Sequence, residues 1–364
     1  MPEAKTKKIN RLIAWLNKPT KLPINQKIFF IQQLTVMLQA GISLSVALKT
    51  LSQQTESKSL KVIVKGLQEM VEKGNTLSKG LEIYPKIFND LFVNMIRAGE
   101  NSGKLEDVLK ELYIQMRKDH EIVGKVKGAM IYPAIVIMMM LVIGVIMMIY
   151  VVPSMTSVFL EMNVALPLPT KILIFISDFL VTKGLWVLIA SIFIISIFIK
   201  TIRTTKGKMI FHQILLKTPI AGPIIKKINL ARFCRTLSSL LKTDIPIVQS
   251  FEITSKVLGN MTYKRALIDS IEKIKKGVRI SDSLNTYTNI FPPVVLQMIA
   301  VGEETGELDN ILIESAVFYE EEVNQTMSNL PSIIEPVLMV VLGIAVGAMA
   351  ISVILPMYSL GQAI

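Results

Sequence analysis

Apolar residues follow two different patterns along this chain. Over Phe30, Leu34, Met37 and Leu38, and again over Phe233, Leu237, Leu240 and Leu241, they recur every three or four positions, the spacing that lines one face of an α-helix. Nothing alternates like a strand for long. Three other stretches are apolar almost without interruption: Met130 to Val152, about Leu180 to Ile199, and Ile333 to Leu355. Each is about 20 residues long, enough for a helix to cross a hydrocarbon core of about 30 Å. Lys183 stands near the outer end of the second run and has to snorkel to the headgroups if that helix begins so early. The pattern predicts an all-α membrane protein with three transmembrane helices.

The helical pattern occurs twice. A shift of 203 positions aligns Phe30 to Pro153 with Phe233 to Pro356 without a gap, pairing Leu34 with Leu237, Gly74 with Gly277, Phe88 with Phe291 and Pro133 with Pro336. A repeat of this length sets the architecture. Each unit reads as a bundle of about six short helices, divided by turn signals at Gly41 or Asp244-Ile245-Pro246, at Gly74 or Gly277, at Tyr84-Pro85 or Phe291-Pro292-Pro293, and at the glycine pairs Gly99/Gly103 and Gly302/Gly306. The last helix of each unit is expected to lead almost directly into its span.

Charge then gives the expected orientation. Of 40 Lys and Arg, 21 precede the first span and 17 lie between Lys200 and Ser332, leaving only Lys171 and Lys183 elsewhere. Because Lys and Arg near a span are retained on the cytoplasmic side, both helical units and the N-terminus are expected inside and the C-terminus outside. The predicted map is a basic tail at 1–25, a cytoplasmic helical domain at 26–129, spans at 130–152, 180–200 and 333–355, an external loop with an amphipathic segment at 153–179, a second cytoplasmic domain at 201–332 and a short external tail at 356–364. Two units facing one way need one extra crossing between them, and the chain has one further apolar run in that place. The opening segment is basic but lacks the continuous apolar centre of a signal peptide. The excess of positive charge is read as topology and contact with membrane lipid, and no nucleic acid is expected as a partner.

Candidate chemistry is sparse. Cys234 is single and reads as a small core residue. His120 and His212 have no second His or Cys at ligand spacing. No cofactor and no catalytic residue is expected, since no clustered nucleophile, acid-base pair or metal set is visible. Gly99-Glu100-Asn101-Ser102-Gly103-Lys104 departs from a phosphate loop, which needs four residues between its glycines and a Ser or Thr after the Lys; here there are three, Leu105 follows, and Glu307 replaces the Lys in the second copy. The motif reads as a tight turn in which glycines take positive φ and Ser102 or Thr305 caps the next helix.

The same turns can present Gly99, Glu100, Gly103, Gly302, Glu303 and Gly306 to a partner, and Glu100, Glu106, Glu303 and Asp309 are weak candidates for collecting a divalent cation. Glu320-Glu321-Glu322 reads either as a solvated helical face or as a docking surface for a basic partner; its counterpart, Arg117-Lys118-Asp119, is largely basic. In the membrane, Gly343 and Gly347 form a GxxxG step, with Gly144 at the position equivalent to Gly347, so that a helix of this chain, of a second copy or of another protein can approach closely. Glu335 stands near the inner end of the third span, either at headgroup level or as a polar contact for a passing helix.

The duplicated unit resembles the type II secretion F domain of GspF and PilC proteins. The resemblance is carried by Ala98-Gly99-Glu100-Asn101-Ser102-Gly103-Lys104-Leu105 and Val301-Gly302-Glu303-Glu304-Thr305-Gly306-Glu307-Leu308, with Tyr132-Pro133, Val152-Pro153, Leu166-Pro167-Leu168-Pro169-Thr170 and Ile176-Ser177-Asp178-Phe179 in order. It implies a non-enzymatic platform in the bacterial inner membrane, of a type IV pilus or a type II secretion system. The implied partners are a hexameric cytoplasmic assembly ATPase, the transmembrane helices of pilins or pseudopilins, other inner-membrane components of the machine and further copies of the chain. A small parallel-repeat transporter or channel subunit is the alternative reading.

Overall fold

The computed structural model describes residues 21–161 and 168–361. Among them there is no strand. The chain divides into two compact units, one of Met1–Val123 with His212–Val323 and one of Gly124–Phe211 with Asn324–Ile364.

The first unit holds both copies of the helical pattern. In the first copy α1 (Ile24–Gln39), α2 (Leu44–Gln54), α3 (Lys58–Glu72), α4 (Leu77–Glu82) and α5 (Asp90–Ser102) precede α6 (Leu105–Ile146), which continues into an apolar stretch. The helix bounds then recur 203 positions on. After α7 (Val152–Glu161), α8 (Leu168–Arg203) and α9 (Thr205–Lys217), the second copy runs through α10 (Ala221–Lys242), α11 (Ile247–Val257), α12 (Met261–Lys275), α13 (Ile280–Leu284), α14 (Pro293–Thr305) and α15 (Leu308–Gly361). Helix-breaking backbone is placed in the same register: Gly74 and Gly277 have φ of 80° and 84°, and Gly41 at 78° is matched by Asp244 at 58°. A short polar side chain is among the few that tolerate the left-handed region where glycine is replaced.

Each copy closes on a cluster of rings. Phe88 lies 6.3 Å from Phe30 and 4.9 Å from Phe92, while Phe291 lies 5.1 Å from Phe233 and 5.4 Å from Tyr263. The Tyr263 hydroxyl meets the need of a buried phenol for a partner by donating to the Ile290 carbonyl at 2.8 Å. The two cores are not sealed from each other, because Leu240, Ile245 and Ile253 of the second copy pack with the buried residues of the first.

Lys27 is held over the first ring cluster, 5.2 Å from the Phe88 ring and 4.8 Å from Phe92, and donates to the Ile87 carbonyl at 2.8 Å. Loss of solvent around the ammonium lowers its pKa from 10.5 to about 8.

The second unit carries the apolar helices. Among the described residues three are long and apolar enough to cross a membrane, within Leu105–Ser157, Thr170–Arg203 and Leu308–Ser352. The expected loop at 153–179 is instead mostly helical, formed by α7 and the start of α8; the tail at 1–20, Leu166 and Pro167 lie outside the described residues. α8 begins at Leu168, ahead of the apolar run expected from about Leu180, and is broken at Lys183, with φ −121° and ψ 20°, so that most of that run follows the break. Pro133 lies inside α6, and a π turn at Met147–Val151 follows it. Where that wider turn loosens the regular ladder, the Met148 carbonyl accepts a hydrogen bond from Ser177 Oγ. Thr170 Oγ1 donates to the Ser352 carbonyl at 2.8 Å, tying α8 to α15 within this unit.

Lys27 makes a testable contribution to pH dependence. Below about pH 8 folded and unfolded chains both keep its proton; between about 8 and 10.5 the unfolded chain holds more of it, so this group makes stability rise with pH through that window. The unfolding midpoint of the wild type, referenced to Lys27→Met at each pH, is expected to climb between those values; parallel curves would contradict the assignment.

Candidate functional site

The paired glycine motifs form the same turn twice, and the two glycines in each have different tasks. Gly103 and Gly306 end α5 and α14 in the left-handed conformation, with φ of 71° and 75°. Gly99 and Gly302 allow close approach of the returning helix: an added Cβ would stand 2.8 Å from Val108 Cγ2 in the first turn and 2.9 Å from the Leu308 Cα in the second. Ser102 and Thr305 do not cap the next helix. Each lies in the last turn of the preceding helix and donates back to the carbonyl four residues earlier, Ala98 at 2.9 Å and Val301 at 2.8 Å.

The two motif glutamates face inward. Glu100 accepts from the Leu77 and Ser78 amides and from Ser78 Oγ. Glu303 accepts from the Ser281 amide at 3.0 Å, from Ser281 Oγ at 2.9 Å and from the Ile280 amide. Each carboxylate thus caps the start of a short helix, α4 or α13, where unpaired N–H groups favour negative charge. Their oxygens are occupied by these donors. Glu106 is exposed and Asp309 half-buried, so the four cation candidates are not gathered, and among the described residues no three His, Cys, Asp or Glu side chains group as metal ligands. Lys104 reaches Asp244 Oδ2 rather than a loop of free amides, and that carboxylate raises its pKa.

The acidic run is not a solvated face. Glu320 is buried and bound to Arg235, itself buried, with Lys118 Nζ at 3.7 Å; Glu322 pairs with Lys227 at 2.7 Å, and Glu321 alone of the three is exposed. Helical periodicity placed all three on one stretch, but the turn of the helix aims them at different neighbours.

Lys118 belongs to a seam between the two copies that the sequence did not single out. Along it Arg232 Nε meets Asp119 at 2.8 Å, Gln115 donates to Thr236 Oγ1 at 3.1 Å, and Ser239 Oγ donates to Glu111 at 3.2 Å. Lys256 reaches Asp90 at 3.1 Å from α11. One signal was available: at three of these positions a polar residue of one copy is matched by an apolar residue of the other, Arg232 by Phe29, Gln115 by Phe318 and Ser239 by Val36, which marks surfaces with different neighbours.

Comparison with known proteins bears on this duplicated arrangement. A profile of the family described as Type II secretion system (T2SS), protein F matches twice, at residues 30–153 and 233–356. The chain belongs to this family. It is 34% identical over 335 residues to a type IV pilus assembly protein PilC of Myxococcus xanthus, covering 92% of this chain and 80% of that one. It is 34% identical over 331 residues to a PilC of Thermus thermophilus, covering 91% and 81%. A type II secretion system protein F of Pseudomonas aeruginosa is 29% identical over 333 residues, covering 91% and 82%.

In this T2SS protein F family member the apolar helices leave their small-residue positions open. A Cβ added at Gly144, Gly343 or Gly347 would meet nothing within 4 Å, and Glu335 is exposed. Cys234 is fully buried, which pushes its thiol up to about 12 and leaves it unreactive, and His212 Nδ1 accepts from the Met261 amide at 3.0 Å.

Two variant series test this assignment of roles. Arg235→Met strands the buried Glu320 and is expected to cost about 3–5 kcal/mol, most of it recovered in Arg235→Met/Glu320→Met; denaturant unfolding of the detergent-solubilised chain measures both. Gly302→Ala should cost about 1–3 kcal/mol, because its Cβ meets backbone, while Gly144→Ala should stay within about 0.5 kcal/mol. Equal effects of the two alanines would contradict the close-approach role.

Proposed function

We propose that the chain is the inner-membrane platform of a type IV pilus or type II secretion machine, coupling a cytoplasmic assembly ATPase to the extraction and polymerisation of pilins or pseudopilins. The observation that carries the reading is the double match to one secretion-system family across both copies, each match reaching into an apolar helix. Relatives named for pilus assembly and for type II secretion support the same reading from both machines, and none favours a transporter or channel.

Both helical copies and the N-terminus face the cytoplasm, and the C-terminus faces outward, in accord with where Lys and Arg are concentrated. The hexameric ATPase supplies the nucleotide chemistry; this chain transmits motion. Helices α6 and α15 each run unbroken from a soluble copy into an apolar stretch, so a rotation imposed on the copies is carried along them. The open small-residue positions Gly343 and Gly347 suit close packing by a pilin helix. Of the partner-facing acids, Glu321 is the one both exposed and outside an internal ion pair, and it serves as the contact on that run. Further copies of the chain and the other inner-membrane components complete the assembly, with basic flanks resting on anionic lipid.

Affinity purification of the tagged full chain in mild detergent, with mass spectrometry of what accompanies it, is expected to recover the assembly ATPase and pilin. Glu321→Lys should lower the recovered ATPase roughly fivefold, the effect of about 1 kcal/mol at a surface charge. Normal fibre assembly in cells lacking the chain would overturn the proposal, whereas unchanged recovery with Glu321→Lys would overturn only the contact.

A further inference from the structure

Each copy of the helical pattern carries two mating surfaces, and the seam between the copies uses only one of each kind. The first is the groove between α5 and α6. In the first copy α10 and α11 fill it, so that Leu91 is 7% and Gln115 3% exposed. Their counterparts 203 positions on, Val294 and Phe318, are 60% and 55% exposed on the matching groove between α14 and α15. A cavity lies open there, lined by Val294, Val301, Glu307, Ile311 and Glu314. The second surface is the outer stripe of α10 and the turn after it. Ile245 on that turn is 4% exposed, whereas its counterpart Ile42 is 37% exposed, and the stripe of Phe29 and Val36 on α1 and Val46 on α2 is bare. The contact within the chain is therefore heterologous: one groove and one helix pair are engaged, and one of each is left open.

We propose that the groove between α14 and α15 receives α1 and α2 of a second copy of this chain, in the register by which the first groove holds α10 and α11. The template for the occupant is inside the molecule, since the engaged and open elements are copies of one family domain, with α2 and α5 matching α11 and α14 at both ends, α1 matching α10 at its end and α6 matching α15 at its start. The chemistry of the open faces also matches. Phe29, Val36 and Val46 on one side meet Val294, Val301 and Phe318 on the other, burying apolar surface that water now covers. The groove's polar edge is acidic, with Glu307 and Glu314, and α1 and α2 contain no acidic residue and bring Lys49. Each such contact covers the open groove of one copy and the bare helix pair of the next. The inference rests on the repeat and on exposure, and stands whether or not the chain serves as a platform.

The seam supplies its own test. Ser239 and Glu111 touch within the chain at 3.2 Å, and their counterparts are Val36 and Glu314. Full-length chains bearing Val36→Cys and Glu314→Cys, with different tags, are co-expressed and oxidised mildly in native membranes; buried Cys234 stays silent in the wild-type control. A disulfide joining the two tags is expected, at least about fivefold above that given by Val62→Cys with Glu314→Cys, and Phe318→Glu should reduce it by a similar factor. A yield no higher than the Val62 control overturns the proposal, as does indifference to Phe318→Glu. An internal disulfide in a single chain bearing both Lys8→Cys and Glu314→Cys would also overturn it, by assigning the groove to the chain's own basic start.

Discussion

Leu240, Ile245 and Ile253 belong to the second copy by sequence and to the core of the first by packing. That displacement of apolar side chains across the repeat organises the first unit, because the first copy completes its burial only when α10 and α11 are seated against it. The polar seam follows from the same contact. Once the apolar residues bring the helices together, Arg232, Thr236 and Ser239 lie opposite Asp119, Gln115 and Glu111, and burial makes Thr236, Ser239 and Gln115 depend on their partners.

The glycine motifs serve this packing locally. A close crossing at Gly99 and Gly302 lets α6 and α15 return against the helices that precede them, and the inward glutamates tie each turn to a short helix elsewhere in its own copy. Residues that look like a presented acidic motif are thus the fastening of the bundle. Lys104, which gave the first motif its likeness to a phosphate loop, is engaged by Asp244 of the other copy.

In the second unit two hydroxyls join helices through backbone carbonyls, Thr170 and Ser177, while others such as Ser154 and Ser328 donate within their own helix. Hydrogen bonding to a carbonyl removes the cost of a hydroxyl in an apolar surrounding. Gly144, Gly343 and Gly347 take no part in that joining, since a Cβ added at any of them would meet nothing within 4 Å.

Hydropathy, the helical period and the 203-position register were enough to read the three apolar helices, the six-helix pattern and the duplication, because each depends on neighbours a few residues apart or on identity with the other copy. The chain's membership of its family was legible for the same reason, in the order of short motifs. Other features needed tertiary structure. Glu320 looked solvated because its own stretch is acidic, yet Arg235, 85 residues away, buries it. The helical segment at 168–179 looked like a loop because prolines and polar residues interrupt its apolar run, and Ser102 looked like a cap because a hydroxyl beside a turn has two acceptable partners. Which copy's groove is filled and which is bare was decided by packing: substitutions such as Gln115 against Phe318 mark the two grooves as different, but only contacts between residues more than a hundred positions apart seat α10 and α11 in one of them.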